Sequence, residues 1–168
     1  SLNQQNKIQH MHQIKLADNI YFLGFNDRRT ALFENIWPIP DGISYNSYLI
    51  VDEKVALVDT MERQYIEDYM ARIEGIIGSR QIDYLIINHM EPDHSGSMKA
   101  IAARYPNITL VGNKKTFGIA ENLGFNLEKI LEVHDDSILD LGKVKLQFQT
   151  IPMVHWPETM ITYDETHK

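Results

Sequence analysis

The sequence predicts an α/β protein, either a mixed sheet with helices packed outside it or the same elements in αββα layers. Three observations lead there. Strand-like segments occupy both ends of the chain, the middle alternates strand and helix, and glycines stand where helical apolar spacing stops. Periodicity alone does not separate the two layerings.

Taken in order, Ile14 to Phe25 alternates weakly and reads as a first strand, and Ala31 to Ile36 reads as a second, before the loop Trp37-Pro38-Ile39-Pro40-Asp41-Gly42. Tyr45 to Val51 and Lys54 to Asp59 pair as a hairpin around Asp52-Glu53. From Gln64 to Ile77 the apolar positions Ile66, Tyr69, Met70, Ile73 and Ile77 follow one helix face, with Gly78 placed to stop it. The acidic residues Glu62, Glu67 and Asp68 sit at its start, where they complement the helix dipole. Tyr84-Leu85-Ile86-Ile87 is a buried strand. Ser95 is a plausible N-cap for a helix carrying Met98, Ile101, Ala102 and Tyr105 at i, i+3, i+4, i+7 spacing. Ile108 to Val111 is a strand, and Lys115 to Leu123 a helix closed by Gly124. Strands follow near Lys129 to Val133, Ser137 to Leu141 and Val144 to Ile151, with His134-Asp135-Asp136 and Leu141-Gly142-Lys143 as turns.

Composition bounds the function classes. With 168 residues and 43% hydrophobic side chains, one domain with a real core is expected. The net charge of −7 comes with scattered Lys and Arg, so no basic stripe is available to a nucleic acid. No apolar run approaches the ~20 residues that span a bilayer, and Ser1 to Gln13 lacks the hydrophobic segment of a signal peptide. A cytoplasmic protein without nucleic-acid or membrane partners is the expectation. The absence of cysteine excludes thiolate ligands and restricts any metal site to imidazole and carboxylate.

The chemistry concentrates in His89-Met-Glu-Pro-Asp-His-Ser-Gly-Ser97, which holds four potential metal ligands, His89, Glu91, Asp93 and His94. If the strand runs on to Pro92, alternate residues share a side and His89 and Glu91 face one target ~6.6 Å apart. Pro92 favours an extended Glu91 and cannot continue a ladder, so the strand should end there. Asp93 and His94 then fall in the turn before the helix, the place where ligands collect in α/β proteins. The blander reading is a polar loop whose side chains only satisfy backbone donors. A second His follows the last strand, in Val154-His155-Trp156-Pro157. Alone it reads as a structural strand-end His; beside the first cluster it is the natural fifth ligand.

These residues carry a resemblance. His89-x-Glu91-x-Asp93-His94 followed by His155 is similar to the metallo-β-lactamase-like domain of flavodiiron proteins, also called A-type flavoproteins. Hydrolytic members of the superfamily typically have His-x-His-x-Asp-His, and the carboxylate of Glu91 shifts the site towards oxygen-rich ligation and iron. The resemblance implies αββα layers, one iron on His89, Glu91 and His155, and a second on Asp93 and His94. It implies reduction of dioxygen to water or of nitric oxide to nitrous oxide at a diiron site, with electrons arriving through FMN from rubredoxin or a reductase. Zinc is a possible substitute metal. The bridging Asp and final His of the family have no match, since Asp164 comes too soon and His167 is unmatched. The flavodoxin-like domain is also missing, so the chain is expected to be part of one metallo-β-lactamase-like domain, inactive alone and inclined to self-associate as a homo-oligomer. The alternatives are a zinc-dependent hydrolase of the same fold and a metal-free member kept for binding.

Overall fold

The computed structural model describes residues 12–24, 36–38, 46–60, 63–88, 95–122, 128–150 and 157–163. Its strands are β1 His12–Ala17, β2 Ile20–Gly24, β3 Ile36–Pro38, β4 Asn46–Val51, β5 Val55–Val58, β6 Tyr84–Ile86, β7 Thr109–Gly112, β8 Ile130–Glu132, β9 Ile138–Asp140, β10 Val144–Thr150 and β11 Pro157–Tyr163. Its helices are α1 Ile66–Ile77, preceded by a 3-10 turn at Arg63–Tyr65, α2 Ser95–Arg104 and α3 Lys114–Asn122.

The strands form two sheets. One has seven strands in the order β1-β2-β4-β5-β6-β7-β8, and the other four in the order β3-β11-β10-β9. Hairpin connections make β1, β2, β4 and β5 antiparallel, whereas helical crossovers make β5, β6, β7 and β8 parallel. The pleat divides the central strands between two cores. Leu57, Leu85 and Leu110 pack with Tyr69, Ile73 and Ile77 of α1 and Met98, Ile101 and Tyr105 at the end of α2. Ala56, Val58, Ile86 and Val111 face the other way, against Leu139, Val144, Leu146 and Phe148 of the second sheet. The described residues therefore stack as helix, sheet, sheet, which favours the layered alternative.

Several expectations are corrected. The single strand expected from Ile14 to Phe25 is, over its described residues 14–24, two antiparallel strands, because Asp18-Asn19 makes a turn between β1 and β2. Trp37 and Pro38, expected in a loop, belong to β3 and pair with Ile161 and Met160. Proline is tolerated there because β3 is the outer strand of its sheet. β11 has no counterpart among the strands expected. Pro157 is the first residue of this strand, a position proline tolerates, and the strand pairs with β10 along all seven positions. β6 ends at Ile86, not at Pro92; its ladder is extended by the Ile87 N–H donating to Val111 O at 2.9 Å. Residues 31–35, Glu62 and Gly124 lie outside the described residues.

The helix boundaries follow local chemistry. Gly78, at φ 60°, donates its N–H to Glu74 O at 2.9 Å and ends α1 where expected. Asn113 caps α3, its Oδ1 accepting from Thr116 N–H at 2.8 Å and from the Thr116 hydroxyl at 2.9 Å. Asn113→Ala is expected to cost about 1 kcal/mol, read as a shift of the urea unfolding midpoint.

At the rim where β5 begins, one side chain fastens the two sheets. Asp52, in the β4–β5 turn, accepts Glu53 N–H on Oδ1 at 2.9 Å and Val144 N–H on Oδ2 at 2.7 Å. Lys54 N–H donates to Leu141 O at 3.0 Å beside it. Arg80 closes the turn from outside, donating to Asp52 O at 2.6 Å and Glu53 O at 3.0 Å. β10 thus starts at this rim and runs towards the opposite one.

Candidate metal centre

The opposite rim receives the C-terminal ends of β5, β6 and β7, since these strands are parallel. Their ladders end in single steps: Asp59 N–H donates to Ile86 O at 2.8 Å, Ile87 N–H to Val111 O at 2.9 Å, and Val133 N–H to Gly112 O at 2.9 Å. β4 is antiparallel to β5 and begins here, with Ser47 beside Val58. β10 arrives at the same rim, because Asp136 N–H, in the turn after β8, donates to Phe148 O at 2.8 Å. Seven extended residues cover ~23 Å, enough to cross the sandwich from the Asp52 clamp.

Two segments leave from this rim. One runs from Asn88 to the start of α2 at Ser95; the other joins Thr150 of β10 to Pro157 of β11. His89, Glu91, Asp93, His94 and His155 lie on these segments and outside the described residues, so the expected convergence of His89, Glu91 and His155 lies outside them too. Among the described residues no group of three or more His, Cys, Asp or Glu is arranged to hold a metal. His134 is exposed beside Glu132, at 3.8 Å, in keeping with its reading as a turn residue.

The residue that roots the first segment is Asp59. Its Oδ1 accepts the Asn88 N–H at 2.8 Å, one position before His89. Asp59 has φ 56°, in the left-handed region that non-glycine residues seldom occupy. Behind it lies a buried hydroxyl pair, Ser47 Oγ and Tyr69 OH, 2.6 Å apart. Ser47 Oγ is 3.0 Å from Val58 O and 3.2 Å from Asp59 O, and Tyr69 OH is 3.4 Å from Asp59 O. Burial pushes the Tyr69 phenol far above its ordinary pKa against the opposing hydrogen bond from Ser47, and the Asp59 carboxylate adds to the rise. Tyr48, on the sheet-facing side of β4, is raised in the same way, first by burial and then by Asp59. Both phenols stay protonated, and Tyr69 has a proton to donate in its bonds to Ser47 Oγ and Asp59 O.

Sequence reasoning passed over Asp59, Ser47 and Tyr69. The available signal was a carboxylate directly after Val55-Ala56-Leu57-Val58, four fully buried residues of the strand next to the motif strand. Tyr69 was read only as part of an apolar helix face.

A two-sheet sandwich with βα crossovers, in which the segment holding His89 to His94 follows β6 and the one holding His155 follows β10, is the architecture of the metallo-β-lactamase fold. The comparisons agree. The family described as ODP family beta lactamase matches residues 43–168. Flavo-diiron protein FprA2 of Clostridium acetobutylicum is 35% identical over 161 residues, covering 94% of this chain and 40% of that protein. A nitric oxide reductase of Moorella thermoacetica is 34% identical over 155 residues, covering 89% of this chain and 38% of its own length. Among solved structures, rubredoxin oxygen:oxidoreductase from Desulfovibrio gigas superposes with a TM-score of 0.69 at 27% identity, over 90% of this chain and 38% of that one. The chain belongs to the ODP family of β-lactamase-fold proteins and corresponds to the N-terminal, metallo-β-lactamase-like part of flavodiiron proteins. It spans 26 to 40% of the length of curated relatives of this kind.

Proposed function

We propose that this chain is the metal-binding part of a flavodiiron oxidoreductase, with His89, Glu91 and His155 holding one iron and Asp93 and His94 contributing to a second. The observation that carries this reading is the placement of the two ligand-bearing segments between described strands and helices that end at one rim, within a family match that includes both. The donor chemistry fits: imidazole and carboxylate without thiolate suit ferrous and ferric iron, and Glu91 brings a harder oxygen ligand where hydrolytic relatives have imidazole. When bound, an iron pair supplies the redox chemistry for reducing dioxygen to water or nitric oxide to nitrous oxide, with FMN delivering electrons from rubredoxin or a reductase.

The chain's own residues supply the frame. β6 and β10 set the departure points of the two segments, Asp59 fixes the amide just before His89, and Ile86 of β6 packs in one core with Val144, Leu146 and Phe148 of β10. At this rim the described ladders of β5 to β8 end on backbone hydrogen bonds, which satisfy the strand-end N–H groups of Asp59, Ile87 and Val133.

Anaerobic loading with ferrous iron or with zinc, followed by metal analysis, tests the reading. Iron is expected to bind, with Glu91→Ala and His155→Ala each reducing bound iron while circular dichroism stays unchanged. Retention of full iron content by both variants overturns the ligand assignment. Zinc binding accompanied by ester or amide hydrolysis favours the zinc-dependent hydrolase instead.

A further inference from the structure

We propose that the buried hydroxyls of Ser47 and Tyr69 form a positioning pair: they fix the Asp59 peptide and, through the Asp59 carboxylate, the departure of the metal-binding segment at Asn88. Ser47 and Tyr69 are both fully buried. Each hydroxyl carries one proton, and the surrounding oxygens of Val58 and Asp59 are carbonyls that only accept. With the oxygens 2.6 Å apart, one hydroxyl donates to the other, and the remaining proton ends on a strand-end carbonyl. The shortest route has Tyr69 donating to Ser47 and Ser47 donating to Val58 O or Asp59 O, a chain in which each bond polarises the next.

The Asp59 backbone is thereby held from both sides. Its N–H is bonded to Ile86 O at 2.8 Å and its C=O lies in front of the hydroxyl pair. A non-glycine residue at φ 56° persists only where its surroundings impose that conformation. Holding both peptide groups fixes the direction of the side chain, which accepts the Asn88 N–H at 2.8 Å. Tyr69 comes from α1 and Ser47 from β4, so a helix on the outer layer and a strand two places from β6 are joined to the root of the segment. The bonds of Tyr69 and Ser47 act on the segment through Asp59.

The test compares Ser47→Ala, Tyr69→Phe, the double variant and Ser47→Thr in the whole chain. The readouts are urea midpoint, amide exchange at Asn88 by NMR, and affinity for Zn²⁺ alone by competition with a chelating dye. Ser47→Ala leaves the buried phenol only its long 3.4 Å bond to Asp59 O and is expected to lower the midpoint most, whereas the double variant removes the poorly paired phenol as well and regains part of that loss. Exchange at Asn88 is expected to stay at least about tenfold faster in the double variant, with zinc affinity reduced by about tenfold, the scale of losses when support of a ligand is removed. Ser47→Thr keeps the hydroxyl and restores both. Recovery of Asn88 protection together with the midpoint in the double variant overturns the proposal, because packing alone then explains the pair. The zinc readout rests on the function proposed above, while the exchange readout does not: failure of the parent chain to bind zinc or iron counts against the function, and unchanged Asn88 exchange in every variant counts against the positioning pair.

Discussion

Asp59→Ala is expected to destabilise the chain by about 2–4 kcal/mol, the combined scale of a lost charge-assisted hydrogen bond and a side chain forced into the left-handed region. The Asn88 N–H loses its acceptor at 2.8 Å, and alanine has no local hydrogen bond to favour φ 56°. A graded series separates the two causes. Asp59→Asn keeps an acceptor oxygen and tolerates the left-handed conformation, so its loss should stay below about 1 kcal/mol. Asp59→Gly removes the backbone strain but not the missing acceptor, and should fall between Asn and Ala. Urea unfolding followed by circular dichroism orders the three variants. Equal stability of Asp59→Gly and the parent chain would show that the carboxylate contributes nothing beyond its conformation.

The second large effect is expected at the other rim. Gly142 has φ 125°, and a Cβ there would sit 2.7 Å from Asp52 Oδ1 and 3.0 Å from Glu53 Cγ. Alanine meets both a backbone conformation open to glycine and the carboxylate that clamps the sheets. To make room, Asp52 must move, weakening its 2.7 Å bond from Val144 N–H. The expected cost is about 3 kcal/mol, from strain of 1–3 kcal/mol and part of a buried hydrogen bond. At this chain length each kcal/mol lowers the thermal midpoint by roughly 2–4 °C, so calorimetry should show a drop on the order of 10 °C. Asp52→Asn keeps one of the two acceptor oxygens and sets its NH2 against the other N–H, so it should lose one hydrogen bond, about 1–2 kcal/mol. A Gly142→Ala chain that melts with the parent would mean that the β9–β10 turn gives way without disturbing Asp52.

The central β5–α1–β6–α2–β7–α3 succession was legible because its signals are local. Buried strands there are short runs of Val, Leu and Ile, the helices repeat on one face, and Gly78 stops α1 by its own conformational freedom. Strand pairing was less legible at the edges. Pro38 and Pro157 argue against strands when read alone, and become acceptable only once their positions, an outer strand and a strand start, are known. The candidate site divides in the same way. The ligands proposed on the first segment stand close together within residues 89–94, whereas the acceptor that holds the root of that segment is Asp59, separated from Asn88 by 29 positions.

The sequence by itself determined the α/β class, the hairpin around Asp52-Glu53, the three helices and the flavodiiron resemblance, and it offered the candidate metal ligands, since each depends on neighbours a few residues apart. Only the tertiary structure decided that the elements form two sheets, that the Asp52 carboxylate reaches Val144 across 92 positions, and that β6 and β10 both end at the rim from which the two proposed ligand segments depart. The physical reason is that residue spacing specifies which face a side chain takes, while the partner on that face is chosen by the closing of long loops. That choice is made by total burial and hydrogen-bond satisfaction, which no local pattern records.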